Sequence, residues 1–212
     1  MDDKYLRTLE FDKILARLAE YTSFSAGQAL ALALRPSADA REVAERLQET
    51  TEAVNLLAVR PDVTLGAAHD VRALAQRASR EATLQPSELL EVRSTLVSAR
   101  TLAKLLAPLA HDYPLLAGKA DLLDPLVPLA DDIARCLDDE GRVLDSASAE
   151  LARIRRDAAT ARERLADRLR NMLTSSTLAR MLQEPILTER NGRYVIPVKA
   201  EHRGRLPGVV HR

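Results

Sequence analysis

The sequence predicts a mainly α protein: a helical core domain, then a long arm-like helix, then a short β-hairpin that opens a partial β element. Three observations carry this. Apolar residues make up 46% of 212, much of it Ala and Leu, while aromatics are only 3% and glycines number seven. Leu, Ala, Arg and Glu are good helix formers, and few glycines or β-branched runs compete with them. Apolar positions recur three and four residues apart between breaks marked by proline, and only near the C-terminus does the period shorten to two, around Asn191-Gly192.

The elements follow in order. Thr8 to Tyr21 reads as a first helix, capped by Thr8, with Leu9, Phe11, Ile14, Leu15, Leu18 and Tyr21 at helical spacing. Ser25 to Leu34 is a second, stopped by Arg35-Pro36-Ser37. A third runs from Asp39 to Ala58, before Arg60-Pro61-Asp62 and a short extended crossing at Val63-Thr64-Leu65-Gly66. His69 to Ser79 and Pro86 to Ala110 are the next two, the latter with Pro86 at its start and Glu88 in its first turn. Tyr113-Pro114, Asp124-Pro125 and Val127-Pro128 punctuate two shorter helices ending near Leu137. Asp138-Asp139-Glu140-Gly141-Arg142 is the strongest break of the middle of the chain.

Beyond that break, Ser146 to Arg180 holds no Pro or Gly, and at about 1.5 Å per residue it would span roughly 50 Å. Leu151, Ala158, Leu165 and Met172 fall seven residues apart, and Ile154 adds a second position, which makes a coiled-coil-like seam for packing on a neighbour. Ile186 to Arg190 and Arg193 to Lys199 flank Asn191-Gly192, the strongest short-range hairpin signal, because a type I′ turn needs positive φ at both central positions. Pro197 limits the second run to an edge or interrupted strand. His202 to Gly208 reads as a further turn, and Val209-Val210 as the start of another strand, so the chain reads as a fragment ending inside a domain. The expected organisation is a helical core domain over 1–140, a long helix over 141–184 and a partial β segment over 185–212.

Several function classes drop out. Cys136 is the single cysteine, so neither an intrachain disulfide nor a multi-cysteine zinc site is available. No apolar run reaches the roughly 20 residues of a membrane helix, and Met1-Asp2-Asp3-Lys4 is not the start of a signal peptide, so the expected setting is cytoplasmic with no membrane partner. Neither a Gly-x-x-x-x-Gly-Lys-Ser/Thr loop nor a Gly-x-Gly-x-x-Gly loop is present, and no catalytic constellation stands out. His69, His111, His202 and His211 are scattered and read as solvated loop residues; Asp138, Asp139 and Asp145 read as a solvated turn, not a metal cluster. Ser23-Phe24-Ser25 and Thr174-Ser175-Ser176-Thr177 suit capping and turns, and Cys136 reads as a small core residue. The expectation is no catalytic residue, no metal and no cofactor in this chain.

The balance of 31 cationic and 31 anionic residues conceals an asymmetry. Up to Asp145 there are 17 Lys+Arg against 24 Asp+Glu, and from Ser146 onward 14 against 7. Such a block faces a polyanion or acidic partner, or docks on the acidic part of its own chain. Within it, Arg190 and Arg193 bracket the hairpin turn, and Lys199, Arg203 and Arg205 follow. Guanidinium forks suit phosphate contact, which positions nucleic acid without reading sequence. An ordinary solvated hairpin is the alternative. Tyr194 is the sole aromatic after Ser146, so a base-stacking platform is excluded.

Two stretches together carry a family resemblance. Leu9-Glu10-Phe11-Asp12-Lys13-Ile14-Leu15 with Arg35-Pro36-Ser37 is one. The other is Thr188-x-Arg190-x-Gly192-Arg193-Tyr194-Val195-Ile196-Pro197-Val198-Lys199 with Pro207-Gly208-Val209-Val210-His211. These, and the Asp145-x-Ala147-Ser148 and Leu151-x-x-Ile154-Arg155 run that opens the long helix, resemble the N-terminal region of the second bacterial MutS branch. The resemblance implies a core and lever region leading into a clamp, within a homodimeric, mismatch-repair-related protein with an ABC-type ATPase and usually a C-terminal Smr nuclease. It also implies branched or duplex DNA as ligand, suppression of homologous recombination, and a role on collided ribosomes through rRNA. ATP and Mg would serve the parent protein, not this chain. Where the family usually has Asp after the motif's His, Arg212 stands here.

Overall fold

The computed structural model describes residues 3–202, 204–205 and 209, which fall into two compact units, 1–147 and 148–212. The mainly α expectation holds in both. In the first unit the opening helix expected from Thr8 starts later, as α2 (Phe11–Ala19), and a separate α1 (Asp3–Thr8) precedes it, with Glu10 between them at φ 52°. Thr8 is no cap; its hydroxyl donates back to Lys4 O at 3.0 Å, the local bond by which Ser and Thr compete with a helix ladder. α2 packs on α3 (Ser25–Ala33) with Leu15 and Ala19 buried.

α4 (Ala40–Val59) starts where Asp39 accepts from the N–H groups of Arg41 and Glu42, at 2.8 and 3.3 Å. The Val63–Gly66 crossing then runs over to α6 (Pro86–Leu106). Gly66 has φ 63°, a conformation strained for a residue with a side chain, and a Cβ there would stand 2.9 Å from Ser98 Oγ. His69 N–H donates to Thr95 Oγ1 at 2.9 Å, and Ser94 Oγ donates to Ala67 O at 2.9 Å, fastening the loop to α6. α5 (Arg72–Ala78) follows this loop. Glu88 closes the start of α6, accepting from Gln85 N–H at 2.8 Å and pairing with Arg77. α6 ends earlier than expected and tightens into a 3₁₀ turn at Ala107–Leu109, where Pro108 has no N–H for the α ladder.

α7 (Pro114–Ala120) and α8 (Val127–Cys136) both pack on α6. Leu56, Leu106 and Ala120 form the buried centre between α4, α6 and α7, ringed by Val63, Leu102, Leu105, Leu109, Tyr113 and Leu116. Cys136, expected in the core, is half-buried at the end of α8. The 138–142 segment is the expected turn: Asp138 accepts from the N–H groups of Glu140 and Arg142 at 3.1 and 2.8 Å, and Leu137 bridges Val143.

The second unit holds α9 (Ala149–Leu173) and α10 (Ser176–Ala179), then β1 (Thr188–Arg190) and β2 (Arg193–Val195). The single helix expected over Ser146 to Arg180 is therefore broken. Ser148, not Ser146, caps α9, accepting from Leu151 N–H at 3.3 Å. At the other end Thr174 Oγ1 turns back to Asn171 O at 2.9 Å and Ser175 goes extended, so α9 spans only about 37 Å. Val209 is in no strand; Arg203, the Pro207-Gly208 part of the expected turn, Val210 and His211 lie outside the described residues.

One buried charge ties the first unit together. Glu52 of α4 is 2% exposed, and its Oε2 accepts from the N–H groups of Leu115 and Leu116 at 3.0 and 3.1 Å. These are otherwise orphan donors of the first turn of α7. Glu52→Ala should cost about 1–3 kcal/mol, since two donors lose a charged acceptor, and Glu52→Gln, which keeps an oxygen, should cost less. Urea unfolding of the three proteins checks the order. Asp70 supplies a pH prediction. Chiefly through the side-chain hydrogen bond from Arg72, its carboxyl is held down at about 2. The support it gives the start of α5 is thus present above the ordinary carboxylate range and is lost as the pH falls through about 2. An NMR titration of the Asp70 carboxyl should show that low midpoint, returning to ordinary values in Arg72→Ala.

Candidate nucleic-acid interface

The second unit carries the basic surplus: 14 Lys+Arg against 7 Asp+Glu over 148–212, while 1–147 has 17 against 24. Its hairpin forms as the sequence predicts. β1 and β2 pair antiparallel in the register Thr188↔Val195, Glu189↔Tyr194, Arg190↔Arg193. Asn191 and Gly192 occupy the turn with φ 51° and 72°, the left-handed pair a type I′ turn requires. Thr188 Oγ1 donates to Val195 O at 3.2 Å and closes the open end.

This register sets Arg190 and Arg193 directly opposite each other, both exposed. Like charges in a cross-strand pair destabilise a sheet. No acidic side chain among the described residues forms an ion pair with either. Tyr194, beside them, is half-buried and paired with Glu189.

The other expected phosphate contacts separate. Lys199 does not project freely: its Nζ donates to Arg180 O at 3.1 Å, at the end of α10. Its backbone N–H donates to Met181 O at 3.0 Å, and Gln183 N–H donates to Pro197 O at 3.0 Å, around the bridge Leu182↔Val198. The chain leaving the hairpin is thereby paired with the chain leaving α10. Arg205 is exposed, and its N–H donates to His202 O at 3.1 Å in the turn expected there. Arg203 lies outside the described residues.

The helical seam faces solvent within this unit. Ile154, Leu165 and Met172 are 50%, 47% and 47% exposed, Ala158 is exposed and Leu151 half-buried. The side of α9 that is covered is Ala166, Leu169 and Leu173, three and four residues apart, with Leu182 buried nearby in the chain. That spacing was legible in the sequence, but the stronger heptad drew attention to the other face. Also missed was a recess lined by Ser176, Arg180, Met181 and His202. His202, expected as a solvated loop residue, is on a 3₁₀ turn (Ala200–His202) with its ring largely covered. Nothing in the local sequence signals the recess, because Ser176, Arg180 and Met181 lie twenty-odd residues away.

Among the described residues no helix is long and apolar enough to cross a membrane, and no three His, Cys, Asp or Glu side chains gather as a metal site. The class is thus a mainly α protein of two oppositely charged units, the basic one ending in an arginine-tipped hairpin. No family model matches the sequence. Individual proteins do, over the whole chain: endonuclease MutS2 of a Geobacillus species at 41% identity, endonuclease MutS2 of Pelotomaculum thermopropionicum at 38%, and the putative endonuclease MutS2 of Bacillus subtilis at 37%. In each the chain spans about 27% of the relative's length. From end to end the chain is homologous to the MutS2 branch, and the resemblance read from its terminal motifs holds.

The hairpin yields a prediction of its own. Gly192→Val places a β-branched residue at φ 72° and should unmake the turn while leaving α9 intact. Cross-strand NMR contacts between Thr188 and Val195 should vanish, with far-UV helical signal retained.

Proposed function

We propose that this chain is the core-and-lever part of a MutS2-type DNA-binding protein, and that its own work is to present phosphate contacts and a dimer surface, without catalysis. ATP and Mg binding, strand cleavage, the suppression of recombination and the rescue of ribosomes would belong to the larger parent. The observation that carries the reading is the Arg190↔Arg193 pair at the hairpin tip. A sequence keeps a like-charged cross-strand pair against local stability when a partner of opposite charge compensates it. Two exposed guanidinium forks opposite each other match the oxygens of a phosphodiester backbone, and such contacts fix position without reading bases.

A second reading rests on a separate observation, the exposure of Ile154, Leu165 and Met172 along one face of α9. A heptad seam left in solvent suits a matching helix from a second copy. The two readings are compatible, since a dimer would carry two hairpins.

The expected result is binding to branched DNA, duplex DNA or structured RNA that falls steeply with salt. Because log affinity falls by about 0.9 per phosphate contact per decade of salt on B-form DNA, the double variant Arg190→Ala/Arg193→Ala should lower the slope by about 2. Fluorescence anisotropy across a salt series measures this. An unchanged slope would overturn the hairpin as the contact, and the preferred ligand separates a DNA role from a ribosomal one.

A further inference from the structure

His202 does not behave as a loop histidine. Its side chain is 22% exposed, and Nδ1 is shut off from solvent with no hydrogen-bond partner among the described residues. Its other ring nitrogen, Nε2, stands 3.9 Å from Glu201 Oε1.

A recess lies beside the ring. A cavity of about 350 Å³ is bounded by Ser176, Arg180, Met181 and His202, with no acidic side chain in its lining among the described residues. Arg180 brings a planar fork of donors and Ser176 a hydroxyl, while His202 forms part of the wall. Met181 contributes a polarisable apolar wall. The volume lies at the lower end of small-ligand sites, larger than a bare phosphate needs.

We propose that this recess seats a nucleotide bearing a phosphate monoester, such as the terminal nucleotide of a nucleic-acid strand. A monoester carries close to two negative charges at neutral pH. Arg180 can meet that charge with paired hydrogen bonds, and the Ser176 hydroxyl can add another. The strand that runs out of the hairpin is bonded to the wall of the recess through Lys199 N–H to Met181 O and Gln183 N–H to Pro197 O. A strand held by its backbone at Arg190 and Arg193 therefore has a receptor for its end within the same unit. The inference rests on the nucleic-acid reading of the hairpin.

The test titrates the chain with one duplex carrying either a 5′-phosphate or a 5′-hydroxyl, and separately with AMP and with inorganic phosphate. The phosphorylated end should bind about tenfold more tightly, the increment of one or two charge-assisted hydrogen bonds, and AMP should compete for that increment. Arg180→Ala should bring the phosphorylated end down to the affinity of the hydroxyl end, and Ser176→Ala, a milder change, should reduce the difference severalfold. Equal affinity of the two ends, with duplex binding intact, overturns the recess and leaves the hairpin reading standing. AMP binding that depends on Arg180 without any duplex binding keeps the recess and overturns the hairpin. Inorganic phosphate binding as tightly as AMP overturns the nucleotide-sized part, and no binding of any ligand overturns both.

Discussion

A carboxylate in the apolar centre of the first unit is the constraint on which its packing depends. Glu52 lies one turn before Leu56 on α4, and Leu56 is one of the three residues at the middle of the core. To be buried there the carboxylate must be satisfied, because an unpaired buried charge costs far more than any one apolar contact returns. The first turn of α7 does this, with Leu115 and Leu116 donating their N–H groups. That single requirement sets where α7 begins and which way it enters. Outside the core, Lys119 and Glu49 pair at 2.9 Å between the same two helices and hold the arrangement from the solvent side.

From there the rest of the unit follows. With α4 and α7 fixed, Leu106, Ala120 and their apolar ring close over α6. α6 then carries α8 and the loop fastened by Thr95 and Ser94. The apolar burial is mostly Leu and Ala, so the helices can approach closely, and no large aromatic side chain is needed at the centre.

The second unit is organised by opposite means. Its surface is cationic, its helix exposes an apolar seam, and its hairpin places two arginines face to face. Local stability comes from small backbone devices: the Asn191-Gly192 turn, the Leu182↔Val198 bridge and the Lys199 ammonium on the Arg180 carbonyl. A unit held by such devices leaves Arg190 and Arg193 exposed.

Much of this was legible in the residues. Proline positions and 3.6-residue periodicity located α3, α4, α6, α7 and α8, because a missing N–H and a one-sided apolar pattern act within a few residues. The hairpin was legible for the same reason, since positive φ at two adjacent positions is a local demand that Asn-Gly meets. The terminal motifs were enough for the MutS2 resemblance. What needed the tertiary structure was every feature whose partner lies far along the chain. Glu52 looks like any surface glutamate until Leu115 and Leu116 arrive, and Lys199 looks like a phosphate contact until Arg180 takes its ammonium. His202 becomes part of a recess wall only with Ser176, Arg180 and Met181 beside it. Propensity and periodicity are properties of neighbours in sequence, whereas burial and hydrogen-bond satisfaction belong to neighbours in space.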